Sequence, residues 1–148
     1  MIWYVAYGSN LLASRFALYV GDVPAEQWRV TLPYARYFAK ERTERWGDGG
    51  VAFLDPATPA ETLGRAYLLD EERFAALHAA EGEWYALPLD LAPIGGVPAR
   101  TFTSPVRLAD NPPGEAYRAV VEAGEAETLA LPCPPATAAG RPGASRPR

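Results

Sequence analysis

The order in which strand and helix signals follow one another constrains the fold of this chain more than any other feature of its sequence. Aromatic and β-branched runs predict strands over residues 2–7, 32–39, 51–54, 63–69, 84–91 and 99–103. Capping residues and apolar spacing predict helices over residues 11–19, 70–81 and 114–123. The order β-α-β-β-β-α-β-β-α neither interleaves the helices regularly nor segregates them. It therefore favours an α+β fold, a mixed-strand small β-barrel flanked by helices, over a doubly wound parallel sheet.

The chain divides into one domain and a tail. Its 148 residues suffice for a single ordinary domain, which we place at residues 1–131. Residues 132–148 are rich in Pro, Ala and Arg, and no large apolar residue follows Cys133. Such a segment has little to bury against the entropy of ordering, so we predict that residues 132–148 form a disordered tail.

Charge and hydropathy exclude several classes of partner. The net charge is −4, which makes the chain a poor electrostatic partner for nucleic acid or an anionic membrane. No apolar run reaches the roughly 18 residues of a transmembrane helix, and residues 1–7 lack the basic start of a signal peptide. We therefore expect a cytoplasmic protein whose partner is a small molecule, with neither nucleic acid nor membrane as a partner. Its oligomeric state is left open.

The side chains that usually carry metal or nucleophilic chemistry are scarce. The sequence has one cysteine, Cys133, and one histidine, His78. An internal disulfide and a zinc cluster are excluded, and any Ser-His-Asp triad would have to use His78. We therefore expect no metal and no cofactor, and chemistry that depends on carboxylates, hydroxyls and backbone groups.

The first strand meets the first helix through Tyr7-Gly8-Ser9-Asn10. Glycine permits a sharp turn and close approach of a ligand, and the first N–H groups of a helix have no internal partner. Such a turn can hold a carboxylate or a phosphate. The alternative is that Ser9 or Asn10 simply caps the helix, which from the turn alone is the commoner situation.

Glu81 ends the second predicted helix, directly before Gly82. The negative end of the helix dipole disfavours a carboxylate there, and burial would raise its pKa further. A carboxyl group with a pKa nearer neutrality suits a general acid/base. An ordinary solvated glutamate is the alternative, Glu83 is a nearby competitor, and His78 could share the face of Glu81.

These motifs together resemble the γ-glutamylcyclotransferase-like superfamily, which includes γ-glutamylamine cyclotransferase-like proteins. Residues 5–11, Val-Ala-Tyr-Gly-Ser-Asn-Leu, resemble its N-terminal signature, and Ala80-Glu81-Gly82 resembles the segment with its catalytic glutamate. Residues 46–52, 63–67, 101–104 and 112–117 resemble further family segments in the same order. The resemblance covers residues 2–128.

The resemblance implies a metal-independent lyase that converts a γ-glutamyl amide into 5-oxoproline and a free amine. The substrate's own α-amino group attacks its γ-carbonyl, with Glu81 as acid and base. Backbone groups of Gly8, Ser9, Asn10 and Leu11 would hold the glutamyl moiety. The remaining pocket residues implied are Tyr7, Tyr85 and Tyr117. For Tyr7, a purely structural role as a core aromatic stays open.

Two other functions remain compatible with the sequence. A non-catalytic module on the same fold would bind a γ-glutamyl or carboxylate ligand without using Glu81. A Ser9 hydrolase would need His78 as its base, although the flanks of Ser9 lack the nucleophile-elbow pattern. Trp46 and Trp84 flank the predicted site in sequence and are candidates for a lid or a leaving-group subsite.

Overall fold

A five-stranded mixed sheet with three α-helices forms the body of the protein, in a computed structural model that describes residues 1–135. The strands of the sheet are β1 (Ile2–Ala6), β2 (Gln27–Ala39), β5 (Val51–Leu69), β6 (Leu87–Ile94) and β7 (Val97–Thr103). A small hairpin is made by β3 (Arg42–Thr43) and β4 (Gly47–Asp48). The helices are α1 (Ala13–Val20), α2 (Glu71–Glu81) and α3 (Glu115–Leu129). The predicted α+β class with a mixed sheet is confirmed. Most of the predicted tail lies outside the described residues.

The strand order in the sheet is β2-β5-β1-β7-β6, and only the β1–β7 pair is parallel. The sheet is not closed into the small β-barrel that the sequence predicted, because β2 and β6 remain the two edges of an open sheet. An open groove of about 720 Å³ is lined by both edges, and Pro33 and Pro93 are among its lining residues. Proline has no N–H to donate, so neither edge is suited to a continuous ladder across the groove.

The central strand β1 is buried on both faces of the sheet. Trp3 and Val5 belong to one hydrophobic cluster, whereas Tyr4 and Ala6 belong to a second one on the opposite face. Side chains alternate along a strand, so β1 contributes to both clusters. The turn that follows β1 therefore starts from a firmly held position.

Helix α2 begins and ends as its sequence predicts. The carboxylate of Asp70 accepts a 2.7 Å hydrogen bond from the N–H of Arg73, which is the bond of an N-cap. Leu77 is fully buried, and Gly82 ends the helix with a φ of 83°. Glu81 is consequently the last residue of α2.

Several predicted elements differ from the structure. One bent strand, β5, replaces the two strands predicted at 51–54 and 63–69, because β2 pairs along nearly its whole length. Residues 83–85 form a 3-10 helix, and β6 begins only at Leu87. Helix α3 extends to Leu129, beyond the predicted end at residue 123. Among residues 1–135, no helix is long and apolar enough to cross a lipid bilayer.

The start of the first helix is also different from the prediction. Residues Ser9–Leu11 form a 3-10 helix, and α1 begins only at Ala13 with Leu12 as its N-cap residue. Neither helix start has a side-chain cap, so the predicted capping by Ser9 or Asn10 is wrong. The side chain of Asn10 is instead buried and turned toward α2.

Candidate active site

The turn after β1 passes within contact distance of α3. A Cβ atom on Gly8 would lie 2.8 Å from the Tyr117 hydroxyl and 3.0 Å from the Cβ of Ala52, so only glycine fits there without displacement. The N–H of Leu11 donates to the Gly8 carbonyl at 3.1 Å, which is the first bond of the 3-10 helix. The N–H groups of Ser9 and Asn10 precede that first bond, as is usual at a helix start.

Asn10 connects this turn to the end of α2. Its backbone carbonyl accepts a 2.7 Å hydrogen bond from the Tyr67 hydroxyl. Its side-chain Nδ2 donates to the Tyr4 hydroxyl at 3.2 Å and to Oε1 of Glu81 at 3.3 Å. Its Oδ1 is buried without a hydrogen-bond partner among the residues that the structure describes. Asn10 is therefore a fixed side chain with one free acceptor atom.

Glu81 is a partly buried carboxyl group with a strongly shifted pKa. Burial raises the pKa of Glu81 to about 7, even though Arg45, the Tyr4 hydroxyl and Arg15 each lower it. At neutral pH the two protonation states are similarly populated. A carboxyl group in that condition can both accept and donate a proton.

Three tyrosines that the sequence analysis placed in the pocket are fixed to the backbone by their hydroxyl groups. Tyr7 donates to the carbonyl of Phe102 at 2.7 Å, and Tyr85 donates to that of Ala52 at 2.8 Å. The Tyr117 hydroxyl accepts from the N–H of Ala52 at 3.0 Å. Burial raises the pKa of Tyr117 to about 12 and that of Tyr7 and Tyr85 well above the ordinary value. All three side chains are therefore neutral at physiological pH, and their hydrogen bonds hold them in fixed positions.

Two adjoining cavities meet at Glu81. The inner cavity, of about 30 Å³, is lined by Tyr4, Tyr7, Gly8, Ser9, Asn10, Ala52, Glu81, Tyr85, Phe102 and Tyr117. The outer cavity, of about 120 Å³, is lined by Ser9, Tyr19, Lys40, Thr43, Arg45, Trp46, Val51, Phe53, Glu81, Trp84, Tyr85 and Tyr117. Ser9, Glu81, Tyr85 and Tyr117 line both cavities and mark the junction.

The structure brings together all of the sequence-predicted site residues except Leu11. Leu11 is fully buried behind the turn, where its carbonyl accepts a 2.8 Å hydrogen bond from Arg65. Sequence reasoning missed Tyr4, which alternation along β1 places beside Tyr67 and Phe102. It also missed Lys40 and Arg45, which reach the outer cavity from the β3–β4 region.

The outer cavity combines aromatic and cationic side chains. Trp46 and Trp84 both line it, as their flanking positions in the sequence suggested. The Lys40 ammonium lies 3.1 Å from the centroid of the Trp84 ring, and the Arg15 guanidinium lies 4.6 Å from that of Trp46. Positively charged side chains therefore pack on both tryptophan rings that line the outer cavity.

The competing groups considered from the sequence lie outside both cavities. Glu83 is exposed on the 3-10 helix. The His78 ring stacks on Phe102 at a centroid distance of 4.0 Å, and its Nε2 lies 3.3 Å from the carbonyl of Tyr85. Within residues 1–135, no group of three or more His, Cys, Asp or Glu side chains is placed to hold a metal ion.

Sequence comparisons alone say little about this chain. No protein-family model matches it. One curated protein, Histone deacetylase 5 of Arabidopsis thaliana, is 33% identical over an alignment of 72 residues, and the match covers 37% of this chain. The match spans only 11% of that protein, so it concerns a small segment of a much longer chain.

Comparison with solved structures identifies the architecture. A structure named gamma-glutamyl cyclotransferase superposes with a TM-score of 0.72 and 19% identity over 86% of this chain and 80% of its own. This chain has the gamma-glutamyl cyclotransferase fold. An uncharacterised protein of Homo sapiens superposes with a TM-score of 0.64 and 21% identity, over 85% of this chain and 79% of that one. The resemblance indicated by the sequence motifs is thereby confirmed at the level of the fold.

Proposed function

We propose that this protein is a γ-glutamylcyclotransferase-like lyase that releases 5-oxoproline and a free amine from a γ-glutamyl amide in the cytoplasm. The observation that carries the proposal is the position and pKa of Glu81. Its carboxyl group lies at the junction of the two cavities, bonded to Asn10 of the turn, with a pKa raised to about 7.

The reaction needs a single group that both accepts and returns a proton. Glu81 accepts a proton from the substrate's α-ammonium, which frees the nitrogen lone pair. The neutral α-nitrogen forms a bond to the γ-carbonyl carbon, the five-membered ring closes, and the ring nitrogen loses its second proton to solvent. The bond from that carbon to the departing nitrogen then breaks, and Glu81 returns the proton to the leaving amine. Proton transfer by one positioned side chain is commonly worth about 10²–10⁴ in rate.

The inner cavity supplies the positioning that ring closure requires. We assign the N–H groups of Ser9 and Asn10 to the carboxylate or the carbonyl oxygen of the glutamyl group. The free Oδ1 of Asn10 is suited to accept an N–H from the substrate's α-amino group. The backbone-anchored rings of Tyr7, Tyr85 and Tyr117 would hold the glutamyl chain in its folded, reactive conformation.

A non-catalytic binding module on the same fold is the second candidate. The observation that favours it is the small volume of the inner cavity, about 30 Å³, which suits a carboxylate-sized group. A Ser9 hydrolase is disfavoured by the position of His78, which stacks on Phe102 and lies outside both cavity linings.

The test is release of 5-oxoproline, measured by mass spectrometry. The purified protein is incubated with γ-glutamyl amino acids, γ-glutamylamines and glutathione, in parallel with the Glu81→Gln and Glu83→Gln variants. We expect release by the native protein and by Glu83→Gln, and loss of release in Glu81→Gln. Release that survives in Glu81→Gln would contradict the role of Glu81. Binding of 5-oxoproline or glutamate without turnover would instead support the binding module.

A further inference from the structure

Positive charge collects at the outer cavity of a chain whose net charge is −4. Lys40 and Arg45 line this cavity, and the Arg15 guanidinium packs on Trp46, another lining residue. Within residues 1–135, none of these three cations forms a salt bridge. Of the three, Lys40 and Arg45 present their charge to the cavity itself.

The two lining cations are held in place by aromatic neighbours, and the carboxylates that act on them, Glu83 on Lys40 and Glu81 on Arg45, form no salt bridge with them within residues 1–135. The Lys40 ammonium rests on the face of the Trp84 ring, and the Arg45 guanidinium donates to the Tyr19 hydroxyl while it packs 4.9 Å from that ring's centroid. Lys40 has a φ of 83°, and its carbonyl is held by a 2.9 Å hydrogen bond from Nδ2 of Asn111. A lysine in the left-handed region is an uncommon, strained residue, and such residues concentrate at ligand sites.

We propose that Arg45 and Lys40 form a subsite for an anionic group carried by the leaving amine of the substrate. This inference rests on the proposed function and selects among its substrates. It favours γ-glutamyl amides whose amine part carries a carboxylate or a phosphate over those of neutral amines and polyamines.

The position of the two cations relative to Glu81 assigns them to the leaving amine. Glu81 must lie beside the scissile amide, so the glutamyl group and the leaving amine occupy opposite sides of it. The proposed function places the reacting glutamyl end toward the inner cavity. Lys40 and Arg45 line the outer cavity only, and Trp84 beside them is 46% exposed, which leaves room for groups of different length.

The experiment compares γ-glutamyl amides that differ only at the far end of the amine. Suitable amines are β-alanine, O-phosphoethanolamine, propylamine and 1,3-diaminopropane, which end in a carboxylate, a phosphate, a methyl group and an ammonium. The native protein, Arg45→Gln and Lys40→Gln are assayed for 5-oxoproline at about pH 8.5, where Glu81 is ionised. Arg42→Gln is the matched control, because Arg42 lies on the same hairpin and pairs with Asp48 at 2.7 Å.

For the native protein we expect the two anionic amides to have the highest kcat/KM and the ammonium amide the lowest. In Arg45→Gln and Lys40→Gln, KM for the anionic amides should rise about tenfold, with the propylamide nearly unchanged, since a hydrogen bond to a charged group is worth about 1.5 kcal/mol or more. Arg42→Gln should match the native protein on all four.

Three outcomes would overturn the inference. An equal loss on all four amides would assign Arg45 and Lys40 to the glutamyl carboxylate instead of the leaving amine. A native preference for the propylamide or the ammonium amide would contradict an anion subsite while leaving the proposed function intact. Absence of 5-oxoproline from every amide would overturn the proposed function and, with it, this inference.

Discussion

The two cavities that meet at Glu81 are built in different ways. The inner cavity is made of buried and half-buried residues on β1, β5, β7 and α3, in the turn after β1 and at the end of α2. The hydroxyls of Tyr7, Tyr85 and Tyr117 are fixed there by the backbone groups of Phe102 and Ala52. The outer cavity is made largely of longer side chains, such as the exposed Arg45 and the half-exposed Trp84. One cavity is a rigid part of the core, and the other lies at the surface.

Under the proposed function, this difference assigns the reaction chemistry to the inner cavity and the selection of substrates to the outer one. A rigid, hydrogen-bonded site preserves the geometry that ring closure needs, and changes in it should affect every substrate. An exposed wall of charged and aromatic side chains can change without disturbing the fold, and changes in it should affect only some substrates. Each of the following predictions tests one side of this division.

The largest effect should come from Glu81→Gln, which removes the only carboxyl group lining either cavity among the described residues. We expect kcat/KM to fall about 10²–10⁴-fold for every γ-glutamyl amide, because the proton can no longer be moved from nucleophile to leaving amine. Steady-state assays of 5-oxoproline release measure the loss, with Glu83→Gln as control. A loss confined to some amides would contradict the assignment of Glu81 to the shared chemistry.

Gly8→Ala should be the next most damaging change. The new Cβ would meet the Tyr117 hydroxyl at 2.8 Å and the Cβ of Ala52 at 3.0 Å, so the turn or the tyrosine must shift. A displacement on the order of 1 Å in a reactive site can cost about 10²-fold in rate, and we expect a loss approaching that on all amides.

The double variant Gly8→Ala/Tyr117→Phe distinguishes this clash from a general loss of fold. Removal of the hydroxyl relieves the shorter of the two contacts, so the double variant should recover part of the activity. If the double variant is no more active than Gly8→Ala, a clash with the Tyr117 hydroxyl is not the cause of the loss of activity. Thermal denaturation of both variants checks that they are folded.

The sequence predicts the local part of this architecture well. The buried strand after Met1, the helix capped by Asp70 and the glycine that ends it are all encoded by neighbouring residues, and the structure has them. These signals are enough to fix Glu81 as the last residue of α2. The resemblance to a known family then indicates a fold that the structure confirms.

The rest of the site depends on contacts that local signals do not contain. Arg45 and Lys40 reach the outer cavity because β2 and β5 pair over a long register, which places the β3–β4 hairpin beside α1. The hairpin has only two residues per strand, too few for an alternation pattern. The sequence did not predict that the sheet is open, for the same reason. Whether β2 and β6 pair with each other depends on residues that are far apart in the sequence.

Glu81→Gln should also change stability, in a pH-dependent way. The pKa of Glu81 is raised from 4.5 to about 7 in the folded protein, so folding binds a proton between these values and stability falls as pH rises through that window. At about pH 8, Glu81→Gln should be more stable than the native protein by about 3 kcal/mol, and at about pH 4 the difference should vanish. Urea denaturation at both values measures this, and an equal difference at both would contradict the raised pKa.

The smallest effect we predict links the two cavities. The positive charge of Arg45 lowers the pKa of Glu81, so Arg45→Gln should raise it. The measurement is kcat/KM as a function of pH, with the neutral propylamide as substrate. In the native protein, kcat/KM should fall toward acid pH with a midpoint near the pKa of Glu81, about 7, and in Arg45→Gln this midpoint should lie at higher pH. The plateau at high pH should be unchanged, because Arg45 contacts neither reacting atom. An unmoved midpoint would mean that the outer cavity selects substrates without tuning the base, whereas a lowered plateau would place Arg45 in the chemistry itself.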